Sequence, residues 1–476
     1  MILPSYAPLG IMSIATYLNR NGHQATVCDR FFSNEKITSI IKEYEPDIIG
    51  ISVISQTFIK DAIVISKEAK AAGIPVIWGG CSSTAIAETI LRSGNADYIS
   101  FNEGEFTWLE IADAFDKGES FDEIKGLAYI KNGEYIQTEE REFIDLSVLP
   151  SIDWTLINPE KYLQKTYGSN RMLSIYRTKG CSGRCSFCYN PCYHKSTRRG
   201  RTTETVINEM RYLAETCGAD GFEFTDETMF ADREEALEFC NAITKSGLNV
   251  TWGGYLRTSV INTQEDFELM YKAGCRMLMF GIETGSAKTL KAIHKPNKLE
   301  QIKPTIDGCV KSGIIPITTF IIGFPGETPE DVKETITLAK SLDGAPVSVF
   351  FFTPLPGTEL YNKLIAENKL SDKLTVEEHG EVIELESLYK NFSEIPTREL
   401  RVIKEYFKLR TLFVKTENSD DEQLIKVIIS TVQSWGGRGF FHFFEGMFKT
   451  ACKLLRTFTV FLYPGIRRKY GLYFTK

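Results

Sequence analysis

The sequence predicts an α/β protein of two parallel-sheet domains in tandem, followed by a mostly helical C-terminal region. Residues 1–124 and again 171–365 alternate helical periodicity with short apolar runs. The runs of the second stretch end in polar or glycine-bearing loops, as expected of strands whose carboxyl ends form the working rim of a parallel barrel. Between the two, residues 125–170 break the alternation and read as a hairpin and linker. Residues 366–476 carry helical patterns without a motif.

Bulk properties narrow the class. A hydrophobic share of 43% and a charged share of 25% are those of a globular protein. The net charge of −7 argues against nucleic acid as a partner. Eleven cysteines behind a start, Met1-Ile2-Leu3-Pro4, that lacks a charged leader point to a reducing cytoplasm, with metal-binding or packed thiols. No run approaches ~18 apolar residues, so no transmembrane helix is expected.

In the first domain, Leu9–Leu18 has helical spacing, Gln24–Cys28 reads as a strand, and Ile37, Ile40, Ile41 and Tyr44 mark a helix. Asp47–Ile54 is a continuous apolar run, as in a strand buried on both faces. A helix over about 58–72, a strand at Ile74–Gly80, a helix ending near Arg92 and a short strand at Asp97–Phe101 follow. This is the doubly wound, Rossmann-like pattern, whose ligands sit at strand carboxyl ends. Gly79-Gly80 and Gly104 lie in such loops; taken alone they are equally well tight turns before helices.

Pro8-Leu9-Gly10, Gly22-His23, Pro46-Asp47-Ile48-Ile49-Gly50-Ile51-Ser52, Gly79-Gly80 and Gly104-Glu105 together resemble the cobalamin-binding domain that precedes the barrel of B12-dependent radical SAM enzymes. The resemblance implies a corinoid near Gly79, Gly80 and Gly104. Only Ile2-Leu3-Pro4 stands where the family has its first strand, so a truncated first strand is expected. The sequence has no D-x-H-x-x-G, and His23 is expected just past a helix end rather than on cobalt.

The second domain opens on Met172–Tyr176, a strand, and the loop Thr178-Lys179-Gly180-Cys181-Ser182-Gly183-Arg184-Cys185-Ser186-Phe187-Cys188-Tyr189-Asn190-Pro191. Three cysteines spaced C-x3-C-x2-C bring several thiolates onto one turning backbone, which suits a metal. Gly180 and Gly183 are expected to supply positive φ angles. Three metal readings stand: zinc, which usually takes four ligands in separated pairs; a four-cysteine cluster with Cys192 as fourth ligand; and a three-thiolate cluster with one open iron.

Further strand-bearing runs are read at Gly221–Glu227, Val250–Arg257, Met277–Ser286, Ile315–Thr328 and Val347–Phe352, separated by helices that include Glu204–Cys217, Arg233–Lys245 and Glu265–Ala273. This makes a partial (β/α)6 barrel. Asp226, Glu227, Arg257, Glu283 and the loop Gly323-Phe324-Pro325-Gly326-Glu327-Thr328 all fall at strand carboxyl ends, on the same rim as the cysteine loop.

The cysteine spacing, Phe187 before Cys188, and the Gly-Phe-Pro-Gly-Glu-Thr loop resemble the radical SAM enzymes over residues 171–365. That resemblance implies a [4Fe-4S] cluster on Cys181, Cys185 and Cys188. S-adenosyl-L-methionine would bind its open iron and be cleaved to a 5′-deoxyadenosyl radical. It places Phe187 near the adenine and Glu283 at the ribose or amine. Arg257 would lie at the carboxylate, Asp226 and Glu227 at the family's paired acids, and Gly323 and Gly326 in the ligand loop. Against these stand structural roles, with Arg257 and Glu283 pairing together and Asp226 capping the next helix. Cys192, Cys217, Cys240, Cys275 and Cys309 are expected to be bystander or packed thiols.

The tail holds a polar turn at 417–422. From Leu424 onward it has nine Lys or Arg against Glu445 alone, interleaved with Phe440, Phe441, Phe443, Phe444, Phe448, Phe458, Phe461 and Tyr463. It is read as a packed helix with a basic outer face, or as a peripheral membrane contact. The expected function is a cytoplasmic, cobalamin-dependent C-methyltransferase using methylcobalamin as methyl carrier. It would act on a small-molecule or peptide substrate, with an electron donor such as flavodoxin or ferredoxin. The alternatives are a cyclising or oxidative enzyme without functional corinoid, akin to the anaerobic magnesium-protoporphyrin ester cyclases, and a non-catalytic Fe-S or zinc protein.

Overall fold

Two parallel sheets with facing rims organise the chain. A computed structural model describes residues 6–33, 35–381 and 388–413, together with Ile466, Lys469 and Tyr470. The truncated first strand at Ile2-Leu3-Pro4, the 417–422 turn and the basic aromatic stretch therefore lie outside the described residues, those last three apart.

The first sheet runs β1 (Ile49–Ser52), β2 (Val76–Gly79), β3 (Tyr98–Ser100), β4 (Leu127–Lys131) and β5 (Glu134–Gln137), in that spatial order. β1 to β3 are parallel; β4 and β5 join antiparallel. Asn132 at φ 53° and Gly133 at φ 83° make the tight turn between the last two. The hairpin expected to belong to a linker is thus the edge of the first sheet, so this domain continues past residue 124. Ile51, Val53, Val76, Trp78 and Ile99 form its core with the helix Ile59–Ala71, and Trp78 Nε1 donates to Ser66 Oγ at 2.8 Å. Gln24–Cys28 is not a strand. Both backbone groups of Ala25 are taken by the Asn19 side chain, at 2.6 and 3.1 Å, and are not left for a ladder.

The second sheet contains β6 (Gln164–Thr166), β7 (Ser169–Ile175), β10 (Gly221–Phe224), β11 (Thr251–Tyr255), β12 (Cys275–Glu283), β13 (Ile315–Ile322) and β14 (Val347–Phe351), ordered β14-β13-β12-β11-β10-β7-β6. Six are parallel, and β6 pairs antiparallel at the β7 edge. A small ladder, β8 (Thr178–Lys179) with β9 (Arg199–Gly200), closes the segment that bears the cysteines. Alternation splits the side chains by face. Phe222, Phe224 and Trp252 turn to the helix Arg233–Lys245, where Phe239 meets Phe224 and Trp252 edge-on at 5.7 and 5.4 Å. Ser174, Glu223, Gly253 and Met277 share the opposite, concave face by register, as do Tyr255 and Met279. The helix Thr397–Phe413 covers β14, and Thr411 bonds both backbone groups of Val347, which blunts that edge. Among the described residues no helix is long and apolar enough to cross a membrane.

Candidate active site

The cysteine loop leaves β7 at the carboxyl rim and is held in shape by its own neighbours. Gly180 has φ 80°, and a Cβ there would lie 2.1 Å from the Thr197 carbonyl, so only glycine fits. Gly183 does not take a positive φ, contrary to expectation. Its N–H donates to Cys181 Sγ at 3.3 Å, and the Asn190 N–H donates to Cys188 Sγ at 3.4 Å. Asn190 is the clamp that sequence reading passed over. Its Oδ1 accepts from Cys181 N–H at 2.7 Å, and its Nδ2 donates to the carbonyls of Cys181 and Gly183 at 2.6 and 3.0 Å. Asn-Pro at the start of the Asn190–Tyr193 helix was its one local signal. Ser186 is pinned on both sides, its N–H to the Ile293 carbonyl and its carbonyl to the Leu360 N–H.

The Cys185 and Cys188 thiols feel the charge of Cys181 and of Lys295. Burial pushes the Cys185 thiol up and the Cys188 thiol up to about 12, so a cationic centre is what this set needs to ionise. Among the described residues no three His, Cys, Asp or Glu side chains gather around a single-ion position. Cys192 is exposed and donates to the Tyr189 carbonyl at 3.0 Å. Cys240, Cys275 and Cys309 are buried, and Cys217 is half-buried.

Around the loop, the acids expected beside a ligand have work within the chain. Asp226 is buried and accepts from the N–H groups of Arg177 and Thr178 and from the Thr178 hydroxyl, bracing β7 into β8. It does not cap the next helix, which Asp232 does. Burial still lifts its carboxyl to about 6 against those bonds. Glu227 accepts from Gly180 N–H at 2.9 Å and faces His194 Nε2 at 3.5 Å. Burial alone would raise it, but the His194 contacts and the backbone donors hold it below the usual range.

Arg257 and Glu283 do not pair with each other. Arg257 reaches the cysteine loop, Nη1 to Ser182 Oγ at 3.5 Å, and Nη2 donates to the Ala231 carbonyl at 2.7 Å. Its Nε is buried without a partner among the described residues. Glu283 sits past a bulge in β12 at φ 68°, an uncommon angle for a side-chain-bearing residue. It is buried and bonds Lys295 Nζ at 2.7 Å. Lys295 was not foreseen. It lies on a different element and brings a largely buried ammonium beside Cys185 and Cys188. Phe187 packs on Phe324 of the neighbouring loop, ring centroids 5.5 Å apart. Gly323 and Gly326 have φ 90° and 74°.

The Gly323 and Phe324 N–H groups both donate to Glu327 Oε2, at 2.6 and 3.3 Å, while its Oε1 has no partner among the described residues. Burial drives this carboxyl up to about 8. Its folded value thus exceeds its unfolded one, so the fold binds the extra proton and loses stability as pH rises from the unfolded value toward 8. Glu327→Gln, which accepts the same two bonds, is expected to gain on the unaltered chain over that window by a few kcal/mol and then plateau. Denaturant unfolding at pH 5 and pH 8.5 checks this; a difference independent of pH contradicts it.

The rim docks on the first sheet. Tyr193 OH donates to the Asn102 carbonyl at 2.7 Å and Ser82 Oγ lies 3.4 Å from Tyr189 OH. Lys179 Nζ reaches Glu105 at 3.2 Å and Glu103 at 3.4 Å, and Arg199 Nη1 bonds Glu103 at 2.6 Å. The loops after β2 and β3 therefore face the cysteine loop. Their glycines are packed: at Gly80, φ 95°, a Cβ would lie 2.8 Å from the Val53 carbonyl, and at Gly104 2.6 Å from Ile14 Cδ1, while Gly79 has 3.7 Å of room. Ile54 and Phe58, at the same sheet edge, stand 61% and 47% exposed. His23 is spent on Asp113, at 2.9 Å, and Asp116.

Comparison with known proteins agrees with this geometry. Residues 3–112 match the model of the B12 binding domain and residues 175–339 that of the radical SAM superfamily. An uncharacterised methyltransferase of Pyrococcus horikoshii is 30% identical over 76% of this chain and 79% of its own. The anaerobic magnesium-protoporphyrin IX monomethyl ester cyclase of Rubrivivax gelatinosus is 26% identical over 76% of this chain and 67% of its own. The structure of the radical S-adenosylmethionine methyltransferase TsrM from Kitasatospora setae, with cobalamin and a [4Fe-4S] cluster bound, superposes with a TM-score of 0.68 at 20% identity, covering 77% of this chain and 76% of that one.

Proposed function

The chain belongs to the radical SAM superfamily, in the branch that carries a B12 binding domain, and from that premise we propose that it methylates an unactivated carbon of a small molecule. One observation carries the reading: the cysteine loop is clamped against the Ser82 and Asn102 loops of the first sheet, so the two proposed cofactor rims meet. When bound, the cluster supplies one electron to cleave S-adenosylmethionine and the corinoid carries the methyl group.

The residues present fit these groups. Cys181, Cys185 and Cys188 are the proposed cluster ligands, with N–H donors already aimed at two of the sulfurs. The Nε of Arg257, without a partner among the described residues, is suited to a ligand carboxylate. Glu283, fixed by Lys295, Phe187 and the Gly323–Gly326 turn complete the proposed S-adenosylmethionine side. On the corinoid side, Gly79, with the exposed Ile54 and Phe58, offers an apolar rim to a flat macrocycle. The proposed partner is an external one-electron donor such as flavodoxin or ferredoxin.

Anaerobic reconstitution with iron, sulfide and cobalamin tests the proposal. Corinoid absorbance retained through gel filtration and 5′-deoxyadenosine formation are expected. Deoxyadenosine without any retained corinoid would move the chain to the cyclising or oxidative reading, and zinc without deoxyadenosine to the non-catalytic one.

A further inference from the structure

Glu223, midway along β10 on the concave face, is an acid that the site described above does not use. It is buried, in register with Ser174 and Gly253. Tyr6 OH donates to its Oε1 at 2.5 Å, and the Ala7 N–H donates to Ser174 Oγ at 2.9 Å, so the segment before the first helix lies along this face. Tyr255, 39% exposed on the same face of β11, interacts electrostatically with both Glu223 and Glu283. The wall thus runs from Tyr6 through Glu223 and Tyr255 to the Glu283–Lys295 pair beside Cys185.

The other buried acids have cations or backbone N–H donors: Asp226 and Glu327 are held by the N–H groups of Arg177, Thr178, Gly323 and Phe324. Glu283 has Lys295, Glu103 has Arg199, and Glu209 has Arg201. Glu223 has a phenol and, among the described residues, no lysine, arginine or histidine against it. A buried carboxylate with only a neutral partner is costly until a cation joins it. Burial pushes this carboxyl above the usual range, as that cost requires. The glycine in register beside it, Gly253, brings no side chain of its own onto the face.

We propose that this wall selects the substrate: the methyl acceptor carries a protonated amine or guanidinium, which Glu223 binds between Tyr6 and Tyr255. The acceptor's reacting carbon then lies on the cysteine-loop side. The inference rests on the methyl-transfer reading for what happens to the substrate, not for how it is held.

Anaerobic equilibrium dialysis of the full, reconstituted chain against phenethylamine and agmatine, with 2-phenylethanol as a neutral counterpart, tests it. Both amines are expected to bind saturably, and Glu223→Gln, which keeps the volume and the Tyr6 bond, to weaken them at least ~10-fold. Tyr255→Phe, which leaves the carboxylate, should still prefer amine to alcohol. The inference falls if Glu223→Gln binds the amines as tightly as the unaltered chain, or if the unaltered chain fails to prefer them to the alcohol. Iron and corinoid assayed on the same samples separate the two failures. Amine selectivity without corinoid overturns the cofactor reading alone, and corinoid without selectivity overturns this inference alone.

Discussion

Alanine in place of Cys181, Cys185 or Cys188 is expected to abolish the iron-sulfur absorbance and reduce 5′-deoxyadenosine formation to background, while Cys192→Ala retains both. The loss should exceed the ~10–100-fold typical of removing an outer partner, because a ligand itself is gone. The geometry makes the distinction sharp. Cys181 and Cys188 each receive a backbone N–H on sulfur, and Asn190 ties Cys181 and Gly183 to the helix that follows Cys188. Cys192 instead turns its thiol back to the Tyr189 carbonyl at the surface. Iron content per chain decides the matter before any assay of turnover. If Cys192→Ala lost its iron and Cys188→Ala kept it, the ligand set would be wrong; loss of iron in all four variants would favour the four-cysteine reading.

The contrast between Cys188 and Lys295 shows what a sequence can display. The strands and the rim were legible because each is a local pattern: apolar runs for β1, β2 and β13, and polar residues at the carboxyl ends of β10, β11 and β12, Asp226, Arg257 and Glu283. The cysteines were legible because all three fall on a single short loop at a spacing that suits a cluster. Lys295 meets Glu283 only because β12 ends in a bulge and the helix after it turns back, which no spacing rule announces. The same limit explains Gln24–Cys28. Its apolar pattern suits a strand, but a side chain six residues away in sequence claimed the backbone groups of Ala25. The hairpin was read correctly as a hairpin, yet its pairing with β3 depends on two sequence-distant edges meeting. For Asp226 and Glu227 the position was legible and the role was not. A carboxylate at a strand end serves a ligand or the chain equally well until the N–H groups of Arg177, Thr178 and Gly180 are found pointing at it.

Lys179→Met should loosen the contact between the two domains and cost about 3–5 kcal/mol, the usual penalty for stripping one partner from buried charges. Lys179 stands between Glu105, which is 1% exposed, and Glu103, 7% exposed; Ser13 Oγ also donates to Glu105, at 2.6 Å. Burial alone would push the Lys179 amine down, but Glu105, Tyr176 and Glu103 together raise it. Burial alone would likewise raise Glu103, yet Lys179 and Arg199 bring it below the usual carboxylate range. The signs fix the window. The raised amine stabilises the fold below its unfolded pKa and loses that contribution only as pH climbs through the higher folded value. The lowered Glu103 stabilises above its unfolded pKa and fails as pH falls through the folded one. At neutral pH both contributions are whole, so the full penalty should be seen there. Methionine keeps the apolar stem and leaves Glu105 with Ser13 alone; Glu103 keeps Arg199. Adding Glu105→Gln to Lys179→Met should therefore recover part of the loss, since it removes the carboxylate stranded by the first change. Denaturant unfolding of the single and double variants at pH 7 measures both terms. Because Lys179 immediately precedes Gly180 and Cys181, corinoid retention and iron content should fall together in Lys179→Met. If the double variant were no more stable than the single one, Lys179 would not be neutralising Glu105, and the clamp between the rims would have to rest on Arg199, Tyr189 and Tyr193 instead.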